Sequence, residues 1–238
     1  MRDILNVMRF DFLTAKPLAI GGMIFTVLIF GILSMLFSPI IAVYITFSSM
    51  VFVIPLQGIA DKNGFNKLYG ILPVKRKNIT RARFIYIFLV HFLTELLEAV
   101  IICIAKFAEL YKILPNQNSE TMQMVKNSFA DTRTTLLALF GIFTLLCLLF
   151  AFMEMMGQIF GRENEFKIIM ITLGILALIA FGFSVLSEHD LIPVVKLPGL
   201  PYTVSGMVKL GIAANAVIFV ICLLFGEITA NKLARREL

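Results

Sequence analysis

The chain has 238 residues, of which 59% are hydrophobic and 15% are charged, and its formal net charge at pH 7 is +6. Soluble domains are about 45–50% apolar and about 25% charged. This composition excludes an ordinary soluble domain and is typical of a protein whose solvent is lipid. The basic residues alternate with long apolar runs and form no single patch, so the positive charge does not indicate a nucleic-acid partner.

The first sixteen residues have the pattern of an amphipathic helix. Met1, Ile4, Leu5, Met8 and Phe12 recur at helical spacing on one face. Such a helix can lie in the headgroup plane before the chain enters its first membrane span. We therefore expect an N-terminal interfacial helix, with a plain extension of the first spanning helix as the alternative.

Six segments are each long and apolar enough to cross a membrane, for which a helix needs about 20 residues. They cover approximately residues 17–37, 39–60, 84–106, 135–160, 168–187 and 210–229. Pro39 separates the first two, because proline can begin a helix but not continue one. Pro55 is expected to kink or shorten the second. The sequence predicts an all-α integral membrane protein, a six-helix transmembrane bundle with one domain over residues 1–238.

The distribution of Lys and Arg predicts the orientation of the bundle. With six spans, both termini share one side with the second and fourth connections. That side carries fifteen Lys and Arg residues and the other side carries six. Since cytoplasmic segments are enriched in Lys and Arg, both termini are predicted to be cytoplasmic.

The connection over residues 107–134 is too long for a simple turn. The chain is expected to break around Pro115, and Ser119 is a candidate cap for a short helix. Met122, Val125 and Phe129 share one face of that helix. An external cap or re-entrant element and a helix that rests on the bilayer surface are both compatible with this pattern.

Known catalytic motifs are absent from the sequence. It contains no G-x-x-x-x-G-K-[ST] phosphate loop and no H-E-x-x-H metal motif. Only two histidines are present, His91 and His189, and they lie on different elements. The three cysteines fall inside apolar runs, where an odd number argues against a disulfide framework. We expect no enzyme activity and no metal site on this chain.

Polar residues inside the third predicted span form one cluster. His91, Glu95 and Glu98 follow spacings of four and three, which place them on one helical face. Glu95 lies ~18 Å along the helix from Arg83, near mid-membrane. Charged groups there are costly and usually face the bundle interior or a water-filled path. A substrate or proton path, an interhelical clamp and protonated glutamates that only pack are the alternatives.

Glu154, near the inner end of the fourth span, is a second candidate for the transport path. Its alternative role is structural, with the carboxylate extending toward the membrane interface.

The connection between the second and third spans contains the largest block of positive charge. Asp61 follows the second span, and the segment GFNKLY at 64–69 forms a short amphipathic turn. The sequence LPV at 72–74 interrupts it, and the basic run KRKNITRAR at 75–83 leads into the third span. Orientation alone explains part of this charge but not the order of the residues.

This order resembles the ABC-2 family of permeases, in particular the small six-span bacterial members. These carry an acidic residue after the second span, a short helix, an LPV sequence, basic residues, an isoleucine and a basic–aromatic entry to the third span. The positions that match are Asp61, Leu72, Pro73, Val74, Arg76, Ile79, Arg83 and Phe84. The resemblance includes the six-span layout, the N-terminal interfacial helix and the cytoplasmic termini. Among such permeases, the chain resembles subunits that export amphipathic or cytolytic peptides.

The resemblance implies a transport subunit powered by another chain. In the family, the loop after the second span is a coupling helix that docks on an ATP-binding-cassette ATPase. The implied coupling residues are Asp61, Phe65, Lys67, Leu68, Tyr69, Leu72, Pro73, Val74 and Arg76. ATP and Mg are then expected on the ATPase, with no cofactor on this chain.

The further implied partners are a second permease chain, identical or related, the bilayer of a bacterial cytoplasmic membrane, and an amphipathic peptide or other hydrophobic cargo. An ion-coupled secondary transporter that uses His91, Glu95 and Glu98 is the alternative function.

Overall fold

The computed structural model describes residues 2–62, 75–114, 120–161 and 203–234, with isolated positions between 164 and 174. These residues form α-helices and two 3₁₀ helices and include no strand, which confirms the all-α class for this part of the chain. The α-helices are α1 (Arg2–Leu36), α2 (Phe47–Lys62), α3 (Arg76–Ala108), α4 (Glu120–Ala130), α5 (Thr132–Phe160) and α6 (Val204–Ala234). The 3₁₀ helices cover Pro39–Thr46 and Leu110–Ile113.

Within these described ranges, four helices are long and apolar enough to cross a membrane: α1, α3, α5 and α6. They overlap the predicted spans at 17–37, 84–106, 135–160 and 210–229. The second predicted span is divided between the 3₁₀ helix and α2, and its apolar part, Pro39–Ile54, is shorter than the other four. The fifth, at 168–187, falls almost entirely outside the described residues.

The N-terminal segment does not form a separate helix. Residues 2–16 continue into the first apolar helix without a break, so α1 has 35 residues and a length of ~52 Å, against ~30 Å for a hydrocarbon core. Its buried side chains recur every four residues at Val7, Asp11, Ala15 and Ala19, whereas Leu5 is 60% exposed. Val7 packs against Ile79 of α3. The structure therefore has the extended first helix and not the expected interfacial helix.

Polar contacts show which helix ends lie together at each end of the bundle. At one end, called here the basic end, Asn78 of α3 donates to Asp3 of α1 at 3.4 Å, and Lys77 donates to Asn231 of α6 at 3.3 Å. At the opposite end, the cap end, Ser128 of α4 donates to the Phe37 carbonyl at 3.3 Å. Both described ends of the chain thus lie at the basic end, where α1 and α3 begin and α5 and α6 finish.

The short helix predicted after Ser119 is present as α4. Its Met122 is buried, and the ring of Phe129 lies 4.6 Å from that of Tyr111. Lys106 at the end of α3 donates to the Phe129 carbonyl at 3.1 Å. Through these contacts α4 covers the end of α3 and the 3₁₀ helix that follows it, whereas Pro115 lies outside the described residues.

The core between α3, α5 and α6 is built from aromatic rings and small side chains. Phe84, Phe143, Cys147, Ile218 and Cys222 are all buried there. In lipid, helices gain little from hydrophobic burial against one another and associate through close packing and polar contacts. The few polar contacts between these helices therefore matter more than they would in a soluble bundle.

Candidate functional site

The polar cluster of α3 lies inside the bundle. His91 and Glu98 have no exposed surface, and Glu95 is 3% exposed. A helix places residues three and four apart on one face, and the packing of α3 against its neighbours turns this face inward. The structure thus places these three side chains together on one buried face of α3.

Each glutamate of the cluster is held by a different neighbouring element. The Thr46 hydroxyl, at the end of the first 3₁₀ helix, donates to Glu98 Oε1. The Asn215 amide of α6 donates to Glu95 Oε2 at 2.7 Å. The two carboxyl groups therefore connect α3 to the first 3₁₀ helix and to α6. This is the geometry of an interhelical clamp.

The histidine is tied to its own helix. Its Nδ1 lies 2.8 Å from the Ile87 carbonyl, one turn earlier. The centroid of the imidazole ring is 5.4 Å from that of Phe150 on α5. Through this ring contact, α5 is the third element that packs against the cluster, after the first 3₁₀ helix and α6.

Several polar atoms of the cluster remain without a hydrogen-bond partner in the part of the chain that the structure describes. They are His91 Nε2, Glu95 Oε1, Glu98 Oε2 and Asn215 Oδ1, and each is buried. An unsatisfied buried polar atom costs about 1–3 kcal/mol. The cluster therefore has hydrogen-bonding capacity that the protein does not itself use.

Glu154, the remaining predicted path residue, is placed elsewhere. Its Oε1 lies 3.2 Å from Arg83 Nη1, and the exposed side-chain fractions are 13% for Arg83 and 4% for Glu154. It also accepts a hydrogen bond from Gln158. Arg83 precedes Glu95 by ~18 Å along α3. The structure separates Glu154 from the polar cluster and pairs it at the basic end.

The start of α3 is fastened to three other helices at the basic end. Besides the contacts to Asp3, Asn231 and Glu154, the guanidinium of Arg81 forms an ion pair with Glu227 of α6 at 2.5 Å. This ring of contacts was not indicated by the sequence pattern, because it joins residues far apart in the chain.

Of the predicted coupling residues, the structure locates two. Arg76 is the first residue of α3 and is exposed, and Asp61 lies in the last turn of α2. A cavity of about 410 Å³ borders Arg76 and is walled by Lys75, Lys77 and the end of α6. The others, Phe65, Lys67, Leu68, Tyr69, Leu72, Pro73 and Val74, lie outside the described residues.

The sequence prediction includes neither Thr46 nor Asn215, the two partners of the buried glutamates. Asn215 had a usable signal, since an amide within an apolar run of spanning length usually has a polar partner. Thr46 had none, because threonine is common in apolar helices and bonds to its own backbone. The described residues contain no group of three His, Cys, Asp or Glu side chains able to hold a metal ion.

Comparison with known proteins finds no matching family, no matching curated protein and no matching solved structure.

Proposed function

We propose that this chain is the transmembrane permease subunit of an ATP-driven exporter in a bacterial cytoplasmic membrane. Its cargo would be an amphipathic peptide or another hydrophobic compound. A separate ATP-binding-cassette subunit would bind ATP and Mg, and two permease chains would form the pathway. The proposal draws on the residue order from Asp61 to Phe84, which resembles that of ABC-2 permeases.

One structural observation carries the proposal: the helix that follows the LPV sequence is fastened at its start to α1, α5 and α6. A partner that pushes on the preceding loop would move the start of α3. The contacts of Arg81 and Arg83 would then transmit that movement to the helices beside it. Rigid-body motion of packed helices between two arrangements is a common form of switching.

The surface beside the loop suits a charged partner. Lys75, Arg76 and Lys77 are exposed and border the cavity at the end of α6. Complementary charge at the rim of an interface speeds association and fixes its register. Phe65, Leu68 and Tyr69 would supply the apolar anchors that such an interface needs.

The test is purification of the tagged full chain from its native membrane in mild detergent, followed by mass spectrometry. We expect a stoichiometric Walker-type ATPase. It should be lost from a variant with Phe65→Ser, Leu68→Ser and Tyr69→Ser. The matched control is Phe107→Ser, which removes a 90% exposed aromatic side chain at the cap end and should leave the ATPase bound. A chain that purifies alone, or a triple variant that keeps the ATPase, would refute the coupling role.

A second function, ion-coupled secondary transport, is favoured by the atoms of His91, Glu95 and Glu98 that have no partner among the described residues, within a helix of spanning length. It predicts transport by the purified chain in proteoliposomes under an ion gradient alone. Transport that needs the ATPase and ATP would exclude it.

A further inference from the structure

Among the described residues, no lysine or arginine lies in reach of the two glutamates of the cluster. Along α3, the nearest ones on either side are Arg83, ~18 Å from Glu95, and Lys106, ~12 Å from Glu98. Both are engaged elsewhere: Arg83 pairs with Glu154, and Lys106 donates to Thr132 at 2.6 Å. The lysine and arginine residues of α3 therefore do not compensate the charge of the carboxyl groups.

The elements packed against the cluster do not compensate it either. In the described residues, the first 3₁₀ helix contributes the neutral Thr46 and α6 contributes the neutral Asn215. The helix α5 contributes the ring of Phe150 and the thiol of Cys147, neither of which is a cation. Asp11 of α1 is also buried, but an acidic side chain cannot supply positive charge.

Burial without a nearby cation determines whether the two carboxyl groups can be ionised. An ionised carboxylate without a counter-charge is too costly in an apolar interior and takes up a proton instead. Two carboxylates one helical turn apart also repel each other. We infer that Glu95 and Glu98 form a proton-binding pair, which holds at least one proton when the bundle is closed and whose full ionisation draws water into the cluster and loosens the packing of the first 3₁₀ helix and α6 around it.

The histidine provides an independent observation that points to the same ligand. His91 is fully buried, and its Nδ1 is used by the Ile87 carbonyl. Its Nε2, on the opposite edge of the ring, has no partner among the described residues. This nitrogen lies one turn before Glu95 and can accept or donate a proton. The described residues include no group of three His, Cys, Asp or Glu side chains able to hold a metal ion, so the arrangement favours a proton as the ligand over a multivalent cation.

The position of the pair gives the proton a mechanical effect. Glu98 holds the end of the first 3₁₀ helix, and Glu95 holds the middle of α6. Loss of the last proton would place two negative charges between these elements, and water would have to enter to solvate them. This inference concerns the isolated chain and does not depend on the proposed ATPase.

The first test is infrared spectroscopy of the full chain in lipid nanodiscs at neutral pH. We expect the carbonyl-stretch band of a protonated carboxylic acid. It should weaken in Glu95→Gln or Glu98→Gln and weaken further in the double variant, and Asp11→Asn identifies any part of the band that comes from the buried acid of α1. Glu154→Gln is the matched control, because this buried carboxylate is paired with Arg83 and should be ionised. No such band in the unmodified chain, or a band of unchanged intensity in the double variant, would overturn the proposal.

The second test measures the mechanical effect by hydrogen–deuterium exchange of residues 39–46 and 211–218. After correction for intrinsic rates, exchange in the unmodified chain should accelerate at alkaline pH. The double glutamine variant cannot ionise and should show no such acceleration. Exchange that is independent of pH in the unmodified chain, or that accelerates equally in the variant, would overturn the link between the proton and bundle opening. The ATPase copurification is a separate readout, so either hypothesis can fail alone.

Discussion

The side-chain amide of Asn215 donates a 2.7 Å hydrogen bond to Glu95 Oε2 and joins α6 to α3 inside the bundle. Both helices are long and apolar enough to cross a membrane. Interhelical hydrogen bonds of this kind contribute roughly 0.6–2 kcal/mol in membrane proteins. The bond also fixes the rotation of α6 about its own axis, since Asn215 contacts Glu95 in only one orientation.

Replacing Asn215 with Leu should lower the free energy of unfolding by about 1–2 kcal/mol. The reason is that the Glu95 carboxyl loses its described hydrogen-bond donor while it stays buried. A thiol-reactive fluorogenic dye can follow unfolding in a Cys103→Ser background, because Cys147 and Cys222 are buried and Cys103 is exposed. Asn127→Leu, on the exposed face of α4, is the control. Equal melting temperatures for both variants would contradict the stabilising role.

Two ion pairs at the basic end should differ sharply in their contribution to stability. Arg83 and Glu154 are nearly buried, whereas Arg81 and Glu227 have exposed side-chain fractions of 38% and 44%. Breaking a buried pair leaves an uncompensated charge and costs about 3 kcal/mol, whereas an exposed pair contributes roughly 0–1 kcal/mol.

We therefore expect Arg83→Met to destabilise the chain strongly and Arg81→Met only slightly, as measured by thermal unfolding. Removing both members together, with Arg83→Met and Glu154→Gln, should recover part of the loss. A double variant that is no better than Arg83→Met would show that packing of the arginine side chain is the larger effect.

Asp131 should make the stability of α5 depend on pH. Its carboxylate caps the helix by accepting the Thr134 amide at 3.0 Å. Hydrogen bonding from Thr134 lowers the pKa of Asp131 below its usual range. The stabilisation is therefore complete above the unfolded-state pKa of about 3.9 and is lost as the pH falls through the lower folded-state pKa.

Asp131→Ala should cost several tenths of a kcal/mol up to about 1 kcal/mol at pH 7, and less in acid. Asparagine also caps helices but does not titrate, so Asp131→Asn should keep most of the stability and lose its pH dependence. Thermal unfolding at neutral and acidic pH measures both effects. A cost of Asp131→Ala that is the same at both pH values would argue against the charged cap.

Much of this architecture follows from apolar periodicity alone. The ranges of α3, α5 and α6 agree with the predicted spans to within eight residues at either end, because long uninterrupted apolar runs have few alternatives to a helix in lipid. The burial of His91, Glu95 and Glu98 was also predictable, since their spacing places them together and lipid exposure would be too costly.

Other features depended on contacts between distant parts of the chain. The N-terminal segment has apolar residues on more than one face, and only its packing against Ile79 decides that Val7 is buried and Leu5 exposed. Likewise, the sequence shows Glu154 only as an acidic residue inside an apolar run. Its ion pair with Arg83 on another helix is visible only in the structure. The order of residues along the chain does not show which residues of distant segments become partners.

At Gly211 of α6, the ring of Phe140 on α5 occupies the space that a side chain would need. A side-chain carbon built on Gly211 would lie 2.2 Å from the Phe140 ring, much closer than carbon atoms approach. Overpacking of this kind usually costs about 1–3 kcal/mol. Gly211→Leu should therefore lower the melting temperature, whereas Gly141→Leu on α5, where no atom lies within 4 Å, should change it little.

A compensating change distinguishes packing from a loss of backbone flexibility. If the Phe140 ring is the obstacle, Phe140→Ala combined with Gly211→Leu should regain most of the stability that Gly211→Leu loses, because the leucine then occupies the space of the ring. The melting temperatures of the two single variants and the double variant give the coupling free energy between these positions. A double variant whose loss equals the sum of the single losses would show that the two residues do not interact.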